Sequence, residues 1–197
     1  MSIRKDDLTF NRMGELLVAS GGSSFAEAVN RGRVFAVANQ LGITTQAGLS
    51  VTTPALTLAN PANSGVKCKL WYASVCFTLA FVTTGATVVL AAGTNTILAA
   101  VTGTLTTAHR NLKLGGAGPS VVPLLAATLP AAPVAISVLG AGLTGAITTA
   151  PIGVPLERWY NGSVLVMPGT NISIQTITTA SGAAATFCEY IWEEEDI

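Results

Sequence analysis

Two long stretches of this chain, residues 70–108 and 114–156, contain no Lys, Arg, Asp or Glu. A water-facing surface of that length needs charge, so each stretch either crosses a bilayer or meets mostly other protein. Windows at residues 74–92 and 121–139 are apolar enough to raise the first reading. Pro123, Pro130 and Pro133 break any helix in the second window. Thr83, Thr84, Gly85 and Thr87 read as a turn between strands in the first. Neither window has a flanking basic cluster or an aromatic belt. The four charges at positions 4–7 precede no apolar segment of the kind a secretory signal carries. An integral membrane protein is therefore the last of three readings.

The rest of the composition points the same way. Of 197 residues, 10% are charged and 50% hydrophobic, where an average soluble domain carries about 25% charge. Mean hydropathy is +0.56, which excludes a disordered chain and disfavours a freely dispersed monomer. Ten basic and ten acidic residues cancel, so nothing attracts nucleic acid directly or steers a charged polymer. The charges cluster at the ends. Nine fall within residues 1–33, and Glu189, Glu193, Glu194, Glu195 and Asp196 close the chain. This divides the chain into an N-terminal arm, 1–33, and a body, 34–197. Of these, Glu193–Asp196, the closing acids, read as an exposed acidic tail.

Within the arm, Ser24 and Glu27 have capping-box spacing and Gly32 offers a stop, so the sequence predicts one short helix at 24–31. After it come Thr, Ala, Val, Gly and Pro, in apolar β-branched runs punctuated by turns. Residues 66–82 make the longest strand region. Val66, Cys68 and Leu70 share one parity and Val75, Phe77, Leu79 and Phe81 the other, which predicts a bulge or burial on both faces. Further strands are expected at 87–91, 96–101, 134–139, 162–167, 171–178 and 184–192. Pro168-Gly169 and Ser181-Gly182 separate the last three, which read as an antiparallel meander. The predicted fold is all-β, an antiparallel β-sandwich or jelly roll, with the arm and the one short helix.

The chemistry that catalysis needs is thin. The single histidine, His109, lies far in sequence from Asp6, Asp7 and Asp196, so no Ser-His-Asp set is evident. Paired carboxylates would have to come from Glu157, Glu189 or the closing acids. Cys68, Cys76 and Cys188 lack metal-ligand spacing and read as free thiols, with a bridge from Cys188 to either of the others as the alternative. Gly115-Gly116-Ala117-Gly118 has no following Lys-Ser/Thr and is no phosphate loop. Trp71, Trp159-Tyr160 and Trp192 are either a sugar-stacking platform or core. The expectation is a non-enzyme with no cofactor and no metal.

Three segments carry a family resemblance. They are Arg31-Gly-Arg-Val-Phe-Ala-Val-Ala-Asn39, then Leu56-Thr-Leu-Ala-Asn-Pro-Ala-Asn-Ser-Gly65, and a close built from Gly162-Ser-Val-Leu-Val-Met-Pro-Gly-Thr-Asn-Ile-Ser-Ile174, Thr-Ala-Ser-Gly182 and Tyr190-Ile-Trp-Glu-Glu194. Together they resemble small β-rich virion structural proteins of tailed bacteriophages, over roughly Gly14 to the C-terminus. The resemblance implies a capsid cement or decoration protein in the virion, assembled in the host bacterial cytoplasm. Its partners would be itself, as a homotrimer, and the major capsid protein or other virion proteins, with no membrane. It transfers no catalytic or ligand residues. Arg4, Lys5, Leu8, Phe10, Leu16 and Leu17 are the candidate docking residues of the arm, apolar anchors flanked by charge. A tail or fibre receptor-binding module is the alternative.

Overall fold

The structure, a computed structural model, describes residues 9–10, 16–17, 25–40, 42–44, 46, 48–77, 86–93, 101–106, 108–141, 155–178 and 185–197. Thr9–Phe10 (β1) and Leu16–Leu17 (β2) pair as a small antiparallel hairpin. A helix, Phe25–Asn30 (α1), leads into Val34–Ala38 (β3) and Ile43–Thr44 (β4). Then come Leu56–Ala59 (β5), Val66–Phe77 (β6), Ala86–Ala92 (β7), Thr102–Leu105 (β8) and Arg110–Asn111 (β9). Val122–Thr128 (β10), Val134–Ala141 (β11), Leu156–Val166 (β12), Asn171–Thr178 (β13) and Ala185–Asp196 (β14) complete the chain. The fold is all-β, as expected, with α1 the one helix among the described residues.

The strands form two antiparallel sheets packed as a sandwich. The front sheet runs β12-β6-β14-β3-β9, with β4 also beside β14; the back sheet runs β11-β7-β13-β5-β10-β8. Four pairings nest inside one another along the chain: β3 with β14, β5 with β13, β6 with β12, and β7 with β11. They alternate front, back, front, back. Between the sheets lies one core, in which Leu56, Leu58, Leu90, Ile172 and Ile174 of the back sheet meet Leu70, Val75, Tyr190 and Trp192 of the front.

Local rules account for several details. At the end of α1, Gly32 takes φ 73°, Arg33 N donates to Ala28 O and Gly32 N to Val29 O. This is the Schellman closure that glycine permits at the residue after a helix. The change of parity in β6 is a bulge at Trp71. Opposite it on β14, Ile191 faces Tyr72 and Trp192 faces Leu70, so Trp71 has no partner position. Val66, Cys68 and Leu70 before it, and Ala73, Val75 and Phe77 after it, therefore all point into the core.

One expectation about the strands is corrected. The last three strands are not a meander: β12 and β14 belong to the front sheet and β13 to the back. Pro168-Gly169 makes a turn as predicted, but that turn carries the chain from one sheet to the other. Strand β10 lies in the window where prolines exclude a helix, and it is a strand that the sequence did not announce. Pro123, near its start, keeps a free carbonyl that accepts from Thr106 N, a role that needs no proline N–H. The strand expected at 96–101 has all but its last residue outside the described residues, and the neighbouring strand is β8. No described helix is long and apolar enough to cross a membrane.

Candidate functional site

The residues considered for catalysis do not converge. The His109 ring, through Nδ1, lies 2.9 Å from Thr106 O, a contact that anchors it to its own turn. Glu157 on β12 and Glu189 on β14 both stand opposite Ser74 on the outer face of the front sheet. Each is held by a neutral hydroxyl: Tyr72 donates to Glu157 at 2.7 Å and Ser74 to Glu189 at 3.2 Å. Burial, and then the Glu157 carboxylate, push the Tyr72 phenol up. No group of three His, Cys, Asp or Glu that could hold a metal occurs among the described residues.

All three cysteines are free thiols. Burial pushes Cys188 up to about 12 and Cys68 well above its ordinary value, so both stay protonated and unreactive near neutral pH. The aromatic residues do not form a single platform. Trp192 lies in the core, stacked on Phe35, while Trp71 meets Phe25 of α1 edge-on at 5.2 Å. Trp159 is 54% exposed and packs against Tyr72.

The closing acids are the largest departure from expectation. They are no tail: Glu193, Glu194 and Glu195 lie in β14, a central strand, and each has its own set of partners. Glu193 is fully buried; it accepts from Arg33 Nη2 at 2.8 Å and from Trp71 Nε1 at 3.2 Å. Glu194 accepts from Trp192 Nε1 at 3.1 Å and from the main-chain N–H groups of Ser120 and Val121. Glu195 pairs with Lys67 at 3.1 Å and with Lys69. Burial alone would raise the Glu195 carboxyl, but hydrogen bonds and charge from Lys69 and Lys67 outweigh it and hold the group low. One sequence signal could have revealed the inward member. Cys188, Tyr190 and Trp192 share an inward parity, and two residues on from Trp192 is Glu194.

Of the docking residues proposed for the arm, Arg4, Lys5 and Leu8 lie outside the described residues. Phe10 belongs to β1, and Leu16 and Leu17 form β2, with Phe10 opposite Leu16. Downstream, α1 packs on the body: Ala28 is buried and Arg33 joins Glu193.

The described surface exposes several large apolar side chains, three of them on one strand. Val134, Ile136 and Val138 of β11 are 62%, 49% and 58% exposed. β11 and β12 are the edge strands on one flank. Arg158 and Tyr160 reach across from β12 to Ser137 on β11, and Arg158 also donates to Val138 O. A charged side chain laid on a strand edge obstructs addition of a further strand. Comparison with known proteins returns no match, whether to family models, to curated proteins or to solved structures.

Proposed function

We propose that this chain is a structural virion protein of a tailed bacteriophage, a capsid cement or decoration protein that works by burying surface against its own copies and against the shell. The supporting observation is that Val134, Ile136 and Val138 of edge strand β11 stand exposed on a body with few charges. Apolar side chains on a rigid sheet offer contact area at little entropic cost. Many identical copies then multiply weak contacts by avidity. We read the nested pairings, and with them the body, as a jelly roll, a fold also used by viral capsid and lectin domains. In this reading the protein is not an enzyme, assembles as a homotrimer and resides in the virion.

The test is to add purified protein to phage particles that lack it and count bound copies by quantitative mass spectrometry. Hundreds of copies per particle support a shell role, and absence of binding overturns it. A count of a few to tens favours the second reading, a tail or fibre receptor-binding module. That reading draws on the exposed Trp159 ring beside Tyr72 and Glu157, an arrangement on which a sugar ring can stack.

A further inference from the structure

Three strands of the front sheet, β12, β6 and β14, carry an aromatic and acidic patch on their outer face. Helix α1 covers the adjoining part, where Phe25 meets Trp71 and Arg33 joins Glu193. The register sets the patch out in rows. Trp159 of β12 stands opposite Tyr72 of β6; in the next row Glu157 and Glu189 flank Ser74; in the third, Phe187 of β14 stands opposite Cys76. Ala73, Val75, Tyr160, Cys188 and Tyr190 point into the core, so the residues alternating with them point out. Trp159 and Phe187 are exposed, while Tyr72 and Ser74 lie buried between them as a floor.

The two acids are held in place but not matched. Tyr72 Oη donates to Oε2 of Glu157 at 2.7 Å and Ser74 Oγ to Oε2 of Glu189 at 3.2 Å. Each carboxylate is thereby oriented, and its Oε1 has no hydrogen bond among the described residues. Neither forms an ion pair among those residues, in contrast to Glu193 and Glu195 farther along β14. Burial, then Glu157 and Glu189, raise the Tyr72 phenol, so both acids lie close to one hydroxyl. Like charges placed around one strand repel, which costs the isolated fold. The Trp159 ring is likewise open to water, with Tyr72 bracing it at 4.8 Å.

We propose that this patch binds a short neutral oligosaccharide, with one ring stacked on Trp159 and hydroxyls donating to Glu157 and Glu189. An exposed indole face suits the apolar face of a pyranose. Fixed carboxylates accept from sugar hydroxyls in charge-assisted hydrogen bonds, stronger than those between neutral groups. The same charges repel sialylated, uronate-bearing or phosphorylated glycans, so the sugar is one without acid groups. The Trp159 and Phe187 rows are four residues apart along β6, about 13 Å, which is longer than one sugar ring and suits an oligosaccharide. The proposal deepens the receptor-binding reading and rests on it only for its use on a particle. Binding itself is a property of the free protein.

The experiment screens the full chain on an array of neutral oligosaccharides of glucose, galactose, mannose and N-acetylhexosamines, beside sialylated and uronate-bearing ones. The best neutral probe is then titrated by calorimetry, with tetralysine as a charged control. Trp159→Ala should weaken that binding about ten-fold, and Trp159→Phe, which keeps a stacking face, should restore much of it. Glu157→Gln and Glu189→Gln should each weaken it about three- to ten-fold. Thermal melts of the four variants should stay close to the parent, since none of the three side chains is buried. No binding at any neutral position of the array would overturn the proposal, as would neutral binding that these variants leave unchanged. Preference for acidic glycans would refute the charge argument. Preference for tetralysine, lost in the glutamine variants, would assign the patch to a basic partner instead. None of these outcomes alters the copy count on particles, so the two readings fail separately.

Discussion

The end of β14 and the exposed side chains of β11 share out polarity in opposite ways. Glu193, Glu194 and Glu195 are consecutive acids, yet they lie in the middle of the front sheet and each is matched by cations or N–H groups. Val134, Ile136 and Val138 are aliphatic, yet they stand in water on an edge strand. In a chain with so few charges, the acids act as fasteners: Glu193 ties down the turn after α1, Glu194 the 112–121 loop, and Glu195 the start of β6. Removing one partner of such a buried set leaves the others uncompensated, which gives each fastener its leverage. The aliphatic side chains of β11 make no such tie.

Glu194→Ala should show this contrast most strongly. It strips the acceptor from Trp192 Nε1, Ser120 N and Val121 N and should cost about 3 kcal/mol of stability, read as a lower urea midpoint. Glu194→Gln, which retains an oxygen, should cost about half as much. A midpoint unchanged by Glu194→Ala would break the fastener account.

The second expectation concerns pH. The folded-state pKa of Glu195 is depressed, so its stabilisation is complete above the unfolded value of about 4.3 and is lost as pH falls through the lower folded value. Urea melts across acidic pH should show a decline that Glu195→Gln makes shallower; identical slopes for the two proteins would exclude the pair as its source. The smallest effect is expected on β11. Ile136→Thr should leave stability within about 0.5 kcal/mol of the parent, and a larger loss would mean that this side chain is packed against the chain itself.

The alternating apolar residues of the two halves of β6 announced the strand, and offered its bulge as one of two readings, because side-chain period depends only on neighbours. Gly32 announced the end of α1 for the same reason. Pro168-Gly169 announced a turn but not its destination, since the sheet that receives β13 is decided by β5 and β7, far away in the chain. The glutamates looked like a tail because their partners, Arg33, Trp71, Lys67, Lys69 and the 120–121 amides, are remote in sequence.

The nesting of the strands bears on how the protein is made. The first strand of the body lies beside the last: Asn39 accepts from the amide of Cys188, 149 residues along the chain. Contacts so distant in sequence form slowly and late. During translation β3 must wait, with one edge unpaired, until β14 has left the ribosome, so the nascent chain spends most of its synthesis as an aggregation-prone intermediate. A cell making this protein in quantity would depend on chaperones, or on prompt capture by an assembling partner, far more than its modest length suggests.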